Sequence, residues 1–491
     1  MPKQELFDLH PMGWESDPQD EFFKLSTLDY CVGQVYTNYA LFFKLSDAEK
    51  PKAVSVLKRG LEITLSQCRQ LCGVLEEHKD GGLCFHKKKE STVEFHVQWL
   101  DGPEDVASGK YPSFDELEKR HFVSQSLGSM DTWCVPPMTY GEKPEAQPRG
   151  DRRPKASAFK ASFVNGGLIF MMHHHHYAND VMGWAGELHQ LAENCAAVWK
   201  SEDCPALPAW DPACLDLSRV SKPDPPEDQH IDGPVQPLRH PDHRPGQWLL
   251  FHLPKSKMAE LKKLASPEDG SYWISSYDAY MAYIWRVLSK HRARLFKPGL
   301  KQNLLWGEAV DMRRRFHDPP IPARIQGNVV YVALSVQSPV PQLTAEDVIS
   351  EAPLSKLAWY IRQLTNGVTQ EYVDAALTAI APIRDKTTLF LRTDSFPPMS
   401  NFTTEWRDTR PCDADFGFAR PYAFRFPFDT VTAGLTVVYP ARTNGAPAGD
   451  DEGNEFSVGF EKEIAGDLIR DPEWNKYFEF RGVDAEEGGA A

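Results

Sequence analysis

At 491 residues the chain exceeds what one hydrophobic core usually sustains, so two large lobes are expected. A composition 41% hydrophobic and 25% charged is that of a globular protein, and a formal charge of -15 argues against nucleic acid or an anionic membrane as the main partner, since either needs a broad basic face. No apolar run approaches the roughly 20 residues that span a bilayer, and the N-terminal MPKQELFDLHPMGWESDPQDE has no apolar signal core, so a cytoplasmic protein is expected.

The first expected strand is the latter part of Leu25 to Lys44. Ser46 and Glu49 form a candidate capping box, and Val54, Leu57, Leu61, Leu65 and Cys68 then recur at helical spacing, which predicts a helix over about 50–72. Gly81 and Gly82 mark a turn. After them Val93, Phe95, Val97 and Trp99 alternate with polar residues, the pattern of a strand with one buried face. Ser113 and Glu116 predict a second capped helix, and residues 140–156, rich in Pro, Lys and Arg, read as an exposed loop. Next comes GGLIFMMHHHHYANDVMGWAGELHQLAENCAAVWK, from Gly166 to Lys200. Leu168 to Met172 is a short apolar run, as in a strand covered on both faces. Val181, Trp184, Leu188, Leu191, Cys195 and Val198 follow with the period of an amphipathic helix. His176 and Asp180 therefore stand at the junction of a buried strand and a helix, where open sheets usually carry their chemistry.

From 201 to 247 the chain is dense in proline and has no sustained period, so it reads as a long crossing between a first lobe of residues 1–200 and a second of residues 248–491. The second lobe opens with the strand-like WLLFHL and the helical MAELKKLA. Ser275 and Asp278 predict the cap of a helix through Tyr280, Met281, Ile284, Trp285 and Leu288. LLWGEAVDMRRRF reads as a buried strand running into a basic turn, and PPIPARIQGNVVYVALSV as a loop feeding another strand. Two helices are expected around 346–364 and 370–380, split by Asn366 and Gly367. TTLFLRT, FTTEWRD, AGLTVVYP and EFSVGF read as strands, with Asn444, Gly445 and the acidic stretch to Asn454 as a hairpin loop. Strands interleaved with helices in both lobes mean an α/β fold.

A histidine with a pKa near 6.5 can take a proton from a hydroxyl or amine at neutral pH. His176 is the candidate base, with Asp180 four residues on either capping the helix or pairing with an arginine. The spacing alone is weak, because roughly one such His/Asp pair is expected by chance in this composition. Four consecutive histidines invite a metal reading, yet neighbours on an extended chain point to opposite faces and no carboxylate or cysteine lies at familiar ligand spacing. His173, His174 and His175 are therefore read as packing residues and no metal is expected. The nine cysteines contain no C-x-x-C pair, and Cys68 and Cys72, one helical turn apart, read as core residues. A Gly-x-Ser-x-Gly elbow and phosphate-binding glycine loops are absent. Of Arg313, Arg314 and Arg315, the preceding buried strand favours one turning inward.

Several separated segments then match one pattern in order: LSTLD ending at Asp29, His176-Tyr-Ala-Asn-Asp180, SSYDAYMAYIWR from Ser275, VDMRRR from Val310, QGN ending at Asn328, and Asp415-Phe416-Gly417-Phe418-Ala419. Each is weak alone. Together they make the chain resemble the BAHD-type, coenzyme A-dependent acyltransferases, in particular the fungal branch that includes trichothecene O-acetyltransferases. Two departures stand out: Val181 where a glycine commonly follows the Asp, and Phe418 and Ala419 where Trp and Gly are usual.

The resemblance implies two chloramphenicol-acetyltransferase-like lobes, each a mixed sheet with flanking helices, meeting at a tunnel. Acyl-CoA, most simply acetyl-CoA, would be the cosubstrate with no tightly bound cofactor, and a small-molecule alcohol or amine the acceptor. His176 would deprotonate the acceptor for direct attack on the thioester, and Asp180 would pair with Arg313. Asp415, Phe416 and Gly417 would be structural. Ser275, Ser276, Gly327, Asn328, Ser400 and Asn401 would be the candidates for CoA or acceptor binding. A monomer is expected from the same likeness. Two other readings share the fold: a condensation-type domain using carrier-bound acyl donors, and a catalytically silent ligand-binding protein.

Overall fold

The computed structural model describes residues 2–201, 205–350, 352–442 and 450–488. Its strands in chain order are β1 (Lys3–Leu9), β2 (Asp20–Lys24), β3 (Tyr36–Lys44), β4 (Val74–Glu77), β5 (Leu83–Lys88), β6 (Val93–Trp99), β7 (Ser157–Val164), β8 (Gly167–His175), β9 (Gly246–Leu253), β10 (Trp306–Asp311), β11 (Val330–Leu334), β12 (Asn401–Glu405), β13 (Ala423–Arg425), β14 (Leu435–Tyr439), β15 (Asn454–Glu461) and β16 (Glu479–Glu486). They form a six-stranded sheet ordered β1-β6-β7-β8-β3-β13, a seven-stranded sheet ordered β11-β10-β12-β14-β15-β9-β16, and a small sheet β2-β5-β4.

In the first large sheet β7 and β8 are buried along their whole length and β3 along all but its last residue. That double burial is why these segments read as near-continuous apolar runs. Helices Lys50–Gln67 and Val181–Lys200 pack together over one face of this core. Their approach is close enough that a Cβ on Gly60 would collide with the Cys195 sulfur. The second large sheet is mixed, parallel at β10/β12 and β12/β14 and antiparallel elsewhere. Helices Ser276–Phe296, Leu354–Gly367 and Lys255–Ala265 pack with one another in its core.

The lobes are not cleanly sequential. Three-residue β13 leaves the second half of the chain and pairs antiparallel with β3, Ala423 opposite Phe42. Phe416, Phe418, Phe424, Phe426 and Phe428 pack into the first core with it. The crossing segment, where described, holds short 3-10 turns and a bridge of Ile231 to Ile383 before β9 begins at Gly246, and it is tied down by contacts to both lobes. The Cys214 carbonyl accepts from Gln326 N at 2.8 Å, Lys222 N donates to Thr27 Oγ1 at 2.9 Å, and Arg219 clasps both Asp374 oxygens.

Three segments differ from the reading of the sequence. The helix expected over 50–72 ends at Gln67 and continues as a 3-10 turn; Glu49 is its cap and Ser46 stands outside it, bonded to the Glu49 carboxylate. The helix expected at 346–364 is two, Ala345–Ile349 and Leu354–Gly367, because Pro353 cannot extend the first and starts the second. TTLFLRT is not a strand: Asp385 Oδ1 accepts from Thr387 N and its hydroxyl, which turns the backbone into 3-10 geometry. β14 and β15 do form a hairpin, but Asn444 and Gly445 lie outside the described residues.

Candidate active site

β8 ends at His175 and the helix begins at Val181, so residues 176–180 form a tight loop between two buried elements. Along β8 the rings alternate. His175 faces the 140–156 loop, where its Nε2 donates to the Ala146 carbonyl at 2.9 Å while Nδ1 accepts from Tyr177 N at 3.1 Å. That pair of bonds fixes a neutral tautomer, and burial pushes its pKa down to about 4. His173 faces the same way, accepts from Val135 N, and is pushed by burial to about 3. His174 turns to the helix side, its Nε2 at 2.9 Å from the Glu187 carboxylate, both side chains fully buried. His176 is the one ring of the four that is partly exposed.

The loop is held from behind by the 325–329 segment of the other lobe. Asn328 Nδ2 donates to the His176 carbonyl at 2.8 Å, and its N and Nδ2 both donate to Asp29 Oδ1. His176 N donates to the Val35 carbonyl. Gly327 N donates to Asn179 Oδ1 at 2.8 Å, and Asn179 Nδ2 to Gln326 Oε1 at 3.0 Å. Gly327 itself sits at φ +80°, the left-handed region that glycine adopts without strain. The His176 main chain and both ends of the Asn179 amide are thus committed, which leaves the His176 side chain as the working end of the loop. The pKa of that ring is lowered from its usual value, chiefly by burial, while its own carbonyl and the Asp180 charge oppose the shift.

Asp180 points away from the ring. Its Oδ1 accepts from Gly183 N at 2.7 Å, a helix N-cap, and its Oδ2 accepts from Val329 N at 2.8 Å and Arg313 Nη1 at 2.9 Å. Capping and ion pairing, alternatives in the sequence, are both satisfied by one carboxylate. Arg313 is buried and also reaches Asp311 and the carbonyls of Ile325 and Gly327. Arg314 is exposed beside Asp408, and Arg315 caps the carbonyls of Thr365 and Val368.

The other candidates fall into three groups. Gly327 and Asn328 bind the loop itself. Ser275 caps its helix in a box with Asp278, Ser276 is the first residue of that helix, and the Ser400 carbonyl accepts from Arg292; Asn401 is buried in β12 with neither amide atom bonded among the described residues. Asp415 Oδ1 accepts from Gly417 N, Phe416 is buried against Phe43, and Gly417 at φ +83° would put a Cβ 2.6 Å from Trp199 Cβ. Of this last group Phe416 lies in the first core, while Asp415 is exposed beside Arg420. Phe418 fills its place against Phe43 and Trp199.

Two contributors carried no signal in the sequence, Asn179 and Gly183. A Cβ on Gly183 would stand 2.7 Å from Asn179 Oδ1 and 2.9 Å from the Gly327 carbonyl, and neither atom can yield cheaply while the loop stays bonded. The close approach thus falls at Gly183, and Val181 is the first residue of the helix, directly after its Asp180 cap. Gly183→Ala is expected to cost about 1–3 kcal/mol of stability through this overpacking. Thermal denaturation checks it; an unchanged midpoint sinks the close-approach argument.

The profile described as the Transferase family matches residues 160–458, and the trichothecene 3-O-acetyltransferase-like N-terminal domain matches residues 35–195. The chain is similar, at 55% identity over 99% of its length and 95% of the relative's, to acetyltransferase FGR3 of Gibberella zeae. Among solved structures it is similar in fold to F. graminearum TRI101 complexed with coenzyme A and T-2 mycotoxin, with a TM-score of 0.76, 19% identity and coverage of 94% of this chain and all of that one. Vinorine synthase matches at a TM-score of 0.64 and 19% identity over 95% and 96% of the two chains. Among the described residues no helix is long and apolar enough to cross a membrane.

Proposed function

Because the chain belongs to the Transferase family of BAHD-type, CoA-dependent acyltransferases, we propose that it moves an acetyl group from acetyl-CoA to a hydroxyl of a bulky, largely apolar secondary metabolite. The observation that carries the residue assignment is the loop 176–180, whose His176 carbonyl, Asn179 amide and Asp180 carboxylate are all engaged from behind while His176, alone of the four histidines, is partly exposed. His176 takes the proton of the acceptor hydroxyl as its oxygen attacks the thioester carbonyl, and the C–O bond forms. The tetrahedral oxyanion collapses, the C–S bond breaks, and CoA leaves as a thiolate that the imidazolium can reprotonate. No acyl-enzyme is required. Asp180 and Arg313 act as positioning residues that keep the loop closed onto the second lobe. In this reading the lobes 1–200 and 248–491, joined by 201–247, frame the reaction channel, and the chain works as a monomer in the cytoplasm.

The test is release of free CoA thiol from acetyl-CoA in the presence of a panel of polycyclic alcohols; release no faster than the alcohol-free background for every member sinks the proposal. The pH profile is a second, sharper outcome. A ring whose pKa is lowered stays neutral, and therefore basic, to a lower pH than a free histidine. The acid limb of kcat/KM is accordingly expected below pH 6.5, the base form being complete above that value and lost as pH falls through the lowered pKa. A limb centred at or above 6.5 contradicts the assignment.

A further inference from the structure

Late in the crossing segment the chain reads IDGPVQPLRH, from Ile231 to His240, and none of the roles above uses it. Both ends are fixed to the second lobe. Ile231 N donates to the Pro382 carbonyl at 2.9 Å and the Ile231 carbonyl accepts from Arg384 N at 3.0 Å, while His240 N donates to the Asp394 carbonyl at 2.8 Å. Between these anchors the main chain of 232–239 makes no hydrogen bond with main-chain groups among the described residues. Val235 is 93% exposed and Leu238 78%, more than any other large apolar side chain described. Each proline fixes its own φ and forces the residue before it toward extended backbone, so Gly233, Pro234, Gln236 and Pro237 all favour a polyproline II helix, which turns once in about three residues. The contacts keep that period. Gly233, where a Cβ would stand 2.3 Å from Thr388 Oγ1, and Arg239, which reaches the two Glu487 oxygens at 2.6 and 3.2 Å, lie two such turns apart on the inner edge. Val235 and Leu238 lie one turn apart on an outer edge, with Pro234 and Pro237 on the edge beside it. Spacing alone does not make such a strip: Pro319 and Pro322 share it, but there His317 and Pro320 bridge and Ile325 N donates to the Pro322 carbonyl at 3.2 Å.

We propose that residues 232–239 are a docking ligand for a partner protein domain whose aromatic-lined groove reads polyproline II helices, and that Pro234, Val235, Pro237 and Leu238 enter that groove. Aromatic rings pack on the two apolar edges, and the unpaired carbonyls of the segment are open to the donors of the groove. Anchoring at both ends leaves little ordering cost for the partner to meet. Charge then selects the kind of groove. Arg239 is committed to Glu487 and does not serve an acidic rim of the SH3 kind, while Asp228 and Asp232 are exposed and carry no ion pair among the described residues, which suits a neutral or basic rim. A WW-type groove, which takes proline and apolar contacts without a cation, fits these features. Docking here stands apart from the acyl-transfer chemistry, since the segment contributes no hydrogen bond to the 176–180 loop.

The test titrates fluorescently labelled, isolated WW domains and, in parallel, SH3 domains with the full chain and reads anisotropy, an SH2 domain giving the background. WW domains are expected to bind the wild-type chain, and Val235→Ser and Leu238→Ser each to weaken that binding about tenfold, the loss of one apolar side chain from the groove. Pro234→Ala combined with Pro237→Ala is expected to weaken it by about tenfold or more, because the backbone is no longer held in polyproline II geometry. The melting temperatures of Val235→Ser and Leu238→Ser are expected to match the wild type, since both side chains already stand in solvent, and this separates lost docking from lost folding. Failure of every WW domain to exceed the background, affinities unchanged by all of these substitutions, or binding confined to SH3 domains and lost in Arg239→Gln each overturn the proposal. A chain that docks as expected yet releases no thiol with any alcohol rejects the acyltransferase reading alone.

Discussion

His176→Ala is expected to lower kcat by about 10²–10⁴, the usual worth of a positioned general base, with the KM for acetyl-CoA little changed and the fold intact. The fold survives because the loop is held at this residue by main-chain groups: His176 N on the Val35 carbonyl, and the His176 carbonyl under Asn328. Alanine keeps both. The neighbouring His175→Ala is the informative control. It removes the bonds to the Ala146 carbonyl and Tyr177 N from a fully buried site, so it is expected to lower the melting temperature of the chain. It should leave the acid limb of the pH profile where it was. Steady-state thiol release across pH for both variants separates the two outcomes, and unchanged turnover in His176→Ala removes that ring as the base.

What the sequence disclosed follows from how local each signal is. β3, β7 and β8 are covered on both faces, and a strand so covered writes an unbroken apolar run into the chain. The helix after Asp180 carries its own period and cap. Edge strands are another matter: β1 reads KQELFDL and β16 EFRGVDAE, and the charges that protect such edges hide them from any apolar pattern. β13 is three residues long and exists only because β3 lies beside it. Composition misleads at TTLFLRT, whose threonines and apolar residues promise a strand. Asp385, just upstream, bends the chain instead by accepting from the Thr387 N–H and hydroxyl.

The site divides in the same way. The spacing of His176 and Asp180 sits in one short loop and is visible in sequence, whereas the groups that hold the loop are scattered over 29, 179, 183 and 325–329 and meet only after both lobes have formed. Asp29 shows the consequence. It is buried at the lobe junction, burial pushes its pKa up to about 6 against the donors of Asn328 and Ser26, and LSTLD marks it only as part of the resemblance, with no local pattern that shows its burial. The QGN block likewise marks Gln326 and Asn328 without their role: Asn328 is nominated for ligand binding, and only the fold shows both residues bonded to the 176–180 loop.

Asp180→Asn is expected to destabilise the chain by about 3–5 kcal/mol, the cost of leaving a buried charge without its partner. Arg313 keeps as counter-charge only Asp311, which is one-third exposed, and Val329 N and Arg313 Nη1 would both face an amide that can accept at one atom alone, already engaged by Gly183 N. Arg313→Met removes the charge instead and should cost less, because the Asp180 carboxylate retains both main-chain donors. The double variant is expected to be more stable than the sum of the two single losses allows, a coupling of the kind seen when partners of a buried pair are removed together. Activity should not follow stability. With the loop no longer locked to the second lobe, kcat is expected to fall about 10²-fold in all three proteins, since misplacement by about 1 Å costs that much. The pH profile then separates positioning from mere stability. The Asp180 charge holds the His176 pKa up, so its loss in Asp180→Asn moves the acid limb to still lower pH, whereas a purely structural role leaves the limb in place. Denaturant unfolding of the cycle, together with kcat/KM against pH, measures both; a double variant that regains full kcat along with its stability would show that Asp180 and Arg313 serve the fold alone.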